Sequence, residues 1–126
     1  MNTVGREMIG ACTYDMLIAD ASMPTDVAIV KLAQTQEAAL LKRGSVLAEK
    51  DADGTCSLLS GAEGEHAAYI LKEDVETSSS GTVVAEVYRT GKFVRDALSV
   101  AEGYSLSVGD ERTLRDAGIY LENAMK

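Results

Sequence analysis

Few residues of this chain have the type and spacing to do chemistry. The first is Lys92, in the stretch Val87-Tyr88-Arg89-Thr90-Gly91-Lys92-Phe93-Val94. A Gly-Lys pair closes a phosphate-binding loop when it ends Gly-x4-Gly-Lys-Ser/Thr. Successive backbone N–H groups then wrap the phosphates and the hydroxyl binds magnesium. Here Phe93 follows Lys92, and Glu86 stands five positions before Gly91, where its carboxylate would repel a phosphate. Gly91 is therefore read as a turn after a strand, and no nucleotide is expected.

Asp51-Ala52-Asp53-Gly54 has the acids of a calcium loop. An EF-hand places its glycine at loop position six and an acid at twelve. Counted from Asp51, the glycine falls at four and position twelve is Ala62. The Asp-Gly is better suited to a hairpin turn, where the Asp side chain caps the backbone and Gly accepts a positive φ. His66, the one histidine, stands beside Glu65 in a Gly/Glu loop, and no Gly-x-Ser-x-Gly elbow supplies it with a nucleophile. Cys12 and Cys56 are the only cysteines, too few for a disulfide framework, and no Cys-x-x-Cys or spaced His pair suggests zinc. The acidic run Glu73-Asp74 with Glu76 is read as a solvated strand end. No cofactor, no metal and no catalytic constellation is expected, and the chain is not read as an enzyme.

The elements that would carry a function follow from composition. The chain has 126 residues, a length that fits one domain. Its aromatics are five Tyr and one Phe with no Trp, so the core must be aliphatic. The net charge of −8 repels phosphate backbones and anionic lipids. Nucleic-acid binding and membrane docking are therefore disfavoured. No apolar run approaches the roughly 18 residues of a membrane span. Asp15 and Asp20 interrupt the one apolar stretch near the N-terminus, so no signal peptide is read there.

Residues 1–25 lack a clean period and are read as an N-terminal arm outside the core. Val27-Ala28-Ile29-Val30 is a β-branched strand, Ser45–Glu49 and Thr55–Leu59 flank the Asp-Gly turn as a hairpin, and Ala67–Leu71 is a further strand. Thr82–Arg89 is the strongest strand pattern. Val83, Ala85 and Val87 lie on one face and Val84 and Tyr88 on the other, so both faces are apolar. One face is assigned to the core, and Val84 and Tyr88 to a subunit interface. Phe93–Ala101 is read as a short strand and irregular chain. Ser107-Val108-Gly109-Asp110 fits a capping box, Glu111 and Arg115 an i, i+4 pair, Gly118 a helix stop, and Ile119-Tyr120-Leu121 a last strand. The fold class is mainly β with short helices.

The order of several segments from about Leu41 onward resembles the head-decoration, or capsid-stabilising, proteins of tailed bacteriophages, the lambda decoration protein among them. The segments are Leu40-Leu41-Lys42-Arg43-Gly44-Ser45-Val46-Leu47-Ala48-Glu49, the Asp-Gly hairpin, Ala67-Ala68-Tyr69-Ile70-Leu71-Lys72-Glu73-Asp74-Val75-Glu76-Thr77, the run from Val83 to Leu98, and Thr113–Leu121. The resemblance covers about two thirds of the chain and leaves the first 25 residues unmatched.

It implies a small β-tulip or β-barrel-like domain over 26–126 with a flexible arm over 1–25. It also implies a homotrimer at local threefold positions on the outer surface of the capsid, with the major capsid protein as partner. Such a virion protein is made in the host cytoplasm. The arm would order against the shell. Its apolar Tyr14, Met16, Leu17 and Ile18, unpartnered in any strand pattern drawn here, are assigned to capsid binding. The alternative is a β-barrel binding module, SH3-like or of the lipoyl type, the latter with Lys92 presented on a hairpin.

Overall fold

In the computed structural model the described residues are 17–19 and 25–123. The two expected assignments at Tyr14 and Met16, and Cys12 with them, lie outside this range. β1 (Asp26–Leu32) alternates, with Ala28, Val30 and Leu32 turned inward and Val27, Ile29 and Lys31 outward. This period of two is what a half-buried strand requires. β3 (Val46–Lys50) and β4 (Cys56–Leu58) form the expected antiparallel hairpin. Its turn is held locally. The Asp53 carboxylate accepts from the Thr55 N–H at 3.0 Å and from the Thr55 hydroxyl at 2.8 Å, and Gly54 takes φ 75°. Those two bonds hold the Asp53 carboxyl below its ordinary range.

β5 (Glu65–Leu71) pairs antiparallel with β3, and β7 (Val83–Val94) with both β5 and β1. The order β1-β4-β3-β5-β7, together with the β1–β7 ladder, closes a five-stranded barrel. The β1–β4 seam is its thinnest closure. One parallel register pair, Leu32↔Cys56, and one bond, Ala33 N–H to the Cys56 carbonyl at 2.7 Å, hold it. β2 (Leu40–Leu41) and β6 (Val75–Glu76) make a separate two-residue ladder, through which Leu41 joins the barrel core. The region around Gln36–Lys42, rich in helix formers, is thus extended at its end because tertiary pairing overrides a weak local preference.

Two apolar clusters result. Leu32, Leu47, Cys56, Leu71, Ala85 and Val87 fill the barrel. Val46, Ala48, Ile70, Tyr88 and Phe93 lie on the opposite face of the same strands. That second layer is covered by Leu114 of α1 (Val108–Ala117), Ile119 of β8 (Ile119–Glu122), and Leu17. Central strands therefore read as continuous apolar runs, since each face meets its own core.

The structure corrects the sequence reading at three points. β7 does not turn at Gly91. It runs on to Val94 and exchanges partners there, and Gly91–Val94 pairs in parallel with β8. Leu17 and Ile18 do have a partner. Leu17 is 1% exposed, its carbonyl accepts from the Val94 N–H at 2.7 Å, Ala19 N–H donates to the Lys92 carbonyl at 2.9 Å, and Ile18 bridges Phe93 antiparallel. The sequence hides this partner because Leu17–Ala19 pairs with Lys92–Val94, more than seventy residues further along the chain. Finally, Tyr88 is 5% exposed and belongs to the core of a single chain rather than to a subunit surface.

Candidate interaction surface

Tyr88 is enclosed by the segment that the sequence singled out for its acids. The Arg43 guanidinium lies 5.5 Å from the centroid of the Tyr88 ring and donates to its hydroxyl at 2.9 Å and to the Lys72 carbonyl at 2.8 Å. The Arg43 N–H in turn donates to the Asp74 carboxylate at 2.8 Å. Phe93 packs against the ring from another side, with centroids 5.4 Å apart. Asp74 is thus part of a bracket over the second core and not only a solvated strand end.

His66 stands on β5, not in a loop. Its Nδ1 lies 2.9 Å from the Asp51 carboxylate, and its Nε2 lies 3.5 Å from that of Glu49. Both ring nitrogens face acids, so the arrangement ties the hairpin turn to β5 and presents no base to a hydroxyl. An open cleft of about 290 Å³ runs beside it, lined by Glu49, Tyr69, Arg89 and Thr113 among others. Arg89 pairs across its edge with Asp26, so its charge is already answered. Cys56 is enclosed in the barrel, where burial pushes its thiol up to about 12. Such a thiol is inert at neutral pH. Among the described residues no group of three or more His, Cys, Asp or Glu is placed to hold a metal ion. No helix there is long and apolar enough to cross a membrane.

Lys92 sits mid-strand beside β8, its ammonium 3.0 Å from the Glu122 carboxylate. A lipoyl-type presentation needs a lysine on a hairpin tip, and Thr90-Gly91-Lys92-Phe93 makes none.

What the fold does expose is apolar surface on the outer side of β1 and β7. Ile29 is 69% exposed, Val84 61% and Val27 42%. Register puts Ile29 opposite Glu86 and Lys31 opposite Val84, so Ile29 and Val84 are diagonal neighbours on one face. Diagonal pairs lie roughly 7–8 Å apart, within reach of long side chains. The sequence reading places Val84 at a subunit interface, and the structure leaves it exposed; Val27 and Ile29, which that reading does not single out, are exposed beside it. The signal was present in Val27-Ala28-Ile29-Val30, which is apolar at every position although a one-sided strand needs only every second one.

Among the described residues the structure is a small closed barrel with an apolar stripe exposed on β1 and β7. The family model for the bacteriophage lambda head decoration protein D matches residues 8–117, and the chain belongs to that family. Among curated proteins none matches it.

Proposed function

We propose that this protein is a structural component of a phage virion. In this reading it binds the exterior of the capsid as trimers at local threefold positions, contacts the major capsid protein and stabilises the expanded head. The observation that carries the reading is the family match, which runs across the hairpin, the barrel and all of α1. The architecture supports it, because Val27, Ile29 and Val84 are exposed together on one sheet face. Synthesis in the host cytoplasm, before addition to the head, belongs to the same reading. Contact with the shell is assigned to the residues before Leu17, Tyr14 and Met16 among them, since Leu17 is committed to the core.

The test is to add the purified full chain to expanded heads that lack any decoration protein, then to sediment and image them. Binding, with density in groups of three at local threefold positions and a raised melting temperature of the heads, is the expected result. Heads that neither bind the chain nor gain stability would overturn the reading.

A further inference from the structure

We infer that the barrel opens reversibly along the seam between β1 and β4, without unfolding, and that this opening bares Cys56. β7 holds β1 along almost its whole length, from Val27↔Tyr88 to Leu32↔Val83. On its other side, among the described residues, β1 meets β4 at the single pair Leu32↔Cys56. The bond from the Ala33 N–H to the Cys56 carbonyl, at 2.7 Å, closes that joint. The joint is parallel, whereas the other ladders of the barrel are antiparallel, and parallel pairing is slightly weaker per residue. β4 cannot extend it. The strand is three residues long, and the Leu59 N–H that follows is already committed to the Val46 carbonyl of β3 at 2.9 Å.

Burial follows the same line. Leu47, Leu71 and Val87 stand on strands laddered on both sides, and inside the barrel they are fully buried. Ala28 and Val30 of β1 and Leu58 of β4 belong to the same core, yet they are only partly buried. Cover is therefore thinnest on both banks of the seam. Parting it breaks one backbone bond and the shared burial of Leu32 and Cys56. Every antiparallel ladder stays made, and an open sheet in the order β4-β3-β5-β7-β1 is left. A segment held by few bonds and little apolar contact opens on its own, below the cost of global unfolding. Leu32 and Cys56 are fully buried in the closed barrel, so the thiol reacts only from the open form.

The test uses the full chain, free in solution. Native-state hydrogen exchange is followed by NMR, and labelling with N-ethylmaleimide is read by peptide mapping, which keeps Cys12 apart from Cys56. In labelling, the Cys56 sulfur bonds to one carbon of the maleimide double bond. The thiol proton goes to solvent, and the neighbouring carbon takes one up. The Ala33 N–H reports the seam, and the Leu59 N–H reports the seating of β4 on β3. Urea unfolding gives the global constant. Ala33 exchange and Cys56 labelling should share one opening constant, at least about tenfold above that of Leu59 and of global unfolding. Both should depend only weakly on urea, as a small newly exposed area requires. Ala33 and Cys56 opening only at the global constant would overturn the inference. Cys56 labelling that tracks Leu59 exchange would show that the hairpin peels from β3 instead. Fast Ala33 exchange without matching Cys56 labelling, or the reverse, would separate the thiol from the seam. Either result also overturns it. A chain that fails to bind heads would strike the proposed function and leave these rates as they are.

Discussion

Gly91 shows how one residue redirects the chain. Its φ of 145° lies where side chains are rarely tolerated, and it sits where β7 leaves β1 and takes up β8. A Cβ there would stand 2.9 Å from Thr25 Cγ2 and 3.1 Å from Phe93 Cζ. Phe93 is fully buried and cannot easily yield. Gly91→Ala should therefore cost about 1–3 kcal/mol, backbone strain and crowding together. Urea unfolding measures this, and an unchanged midpoint would show that the strand can relax at that point. A second residue-scale lesson is Tyr88. Its parity with Val84 along β7 suggested a shared surface, but Arg43 and Phe93 close over it.

At the scale of elements, α1 is the one most fully specified by its own sequence. The Ser107 hydroxyl accepts from the Asp110 N–H at 3.0 Å, and the Asp110 carboxylate accepts from the Ser107 N–H at 3.0 Å. The same carboxylate takes the Tyr104 hydroxyl, which pushes the Tyr104 phenol up. Gly118 ends the helix at φ 104°. Ser107→Ala should lower stability by about 0.5–2 kcal/mol. A melting temperature equal to that of the wild type would mean that Tyr104 and Asp110 hold the helix start unaided. Glu111 departs from the local expectation. Its carboxylate takes the Arg95 guanidinium in two bonds of 2.8 and 3.0 Å, so it ties α1 to the chain after β7 rather than to Arg115 one turn on. A fork of two bonds to a distant residue competes well with a weak pair along one helix.

For the whole molecule, Leu17 moves the boundary between body and arm. Truncation at Pro24 removes a buried core side chain and two backbone bonds to β7. That loss should cost about 2–5 kcal/mol, the usual range for emptying a large aliphatic site. A chain beginning at Met16 should melt close to the full-length protein and bind expanded heads more weakly. The two truncations separate stability from shell contact. Full-strength head binding by the Met16 chain would move that contact onto the barrel. Equal melting temperatures for both truncations would show that Leu17 adds little to the core.

The sequence by itself determined the β-rich class, the Asp-Gly hairpin, the strands at Val27–Val30 and Thr82–Arg89, and the cap and stop of α1. It also carried, in the order of its segments, the resemblance to the decoration family. These features are legible because each depends on residues a few positions apart: a period of two, an Asp beside a Gly, a Ser three before an Asp. Tertiary structure decided the rest. The pairing of Leu17–Ala19 with β7, the passage of β7 through Gly91, the enclosure of Tyr88 and the exposure of Ile29 all depend on partners far away in the chain. A strand that is apolar on both faces announces two contacts but not what makes them. On β7 the far side is closed over Tyr88 by Arg43 and Phe93 and left open at Val84, and only the closing of the barrel separates the two.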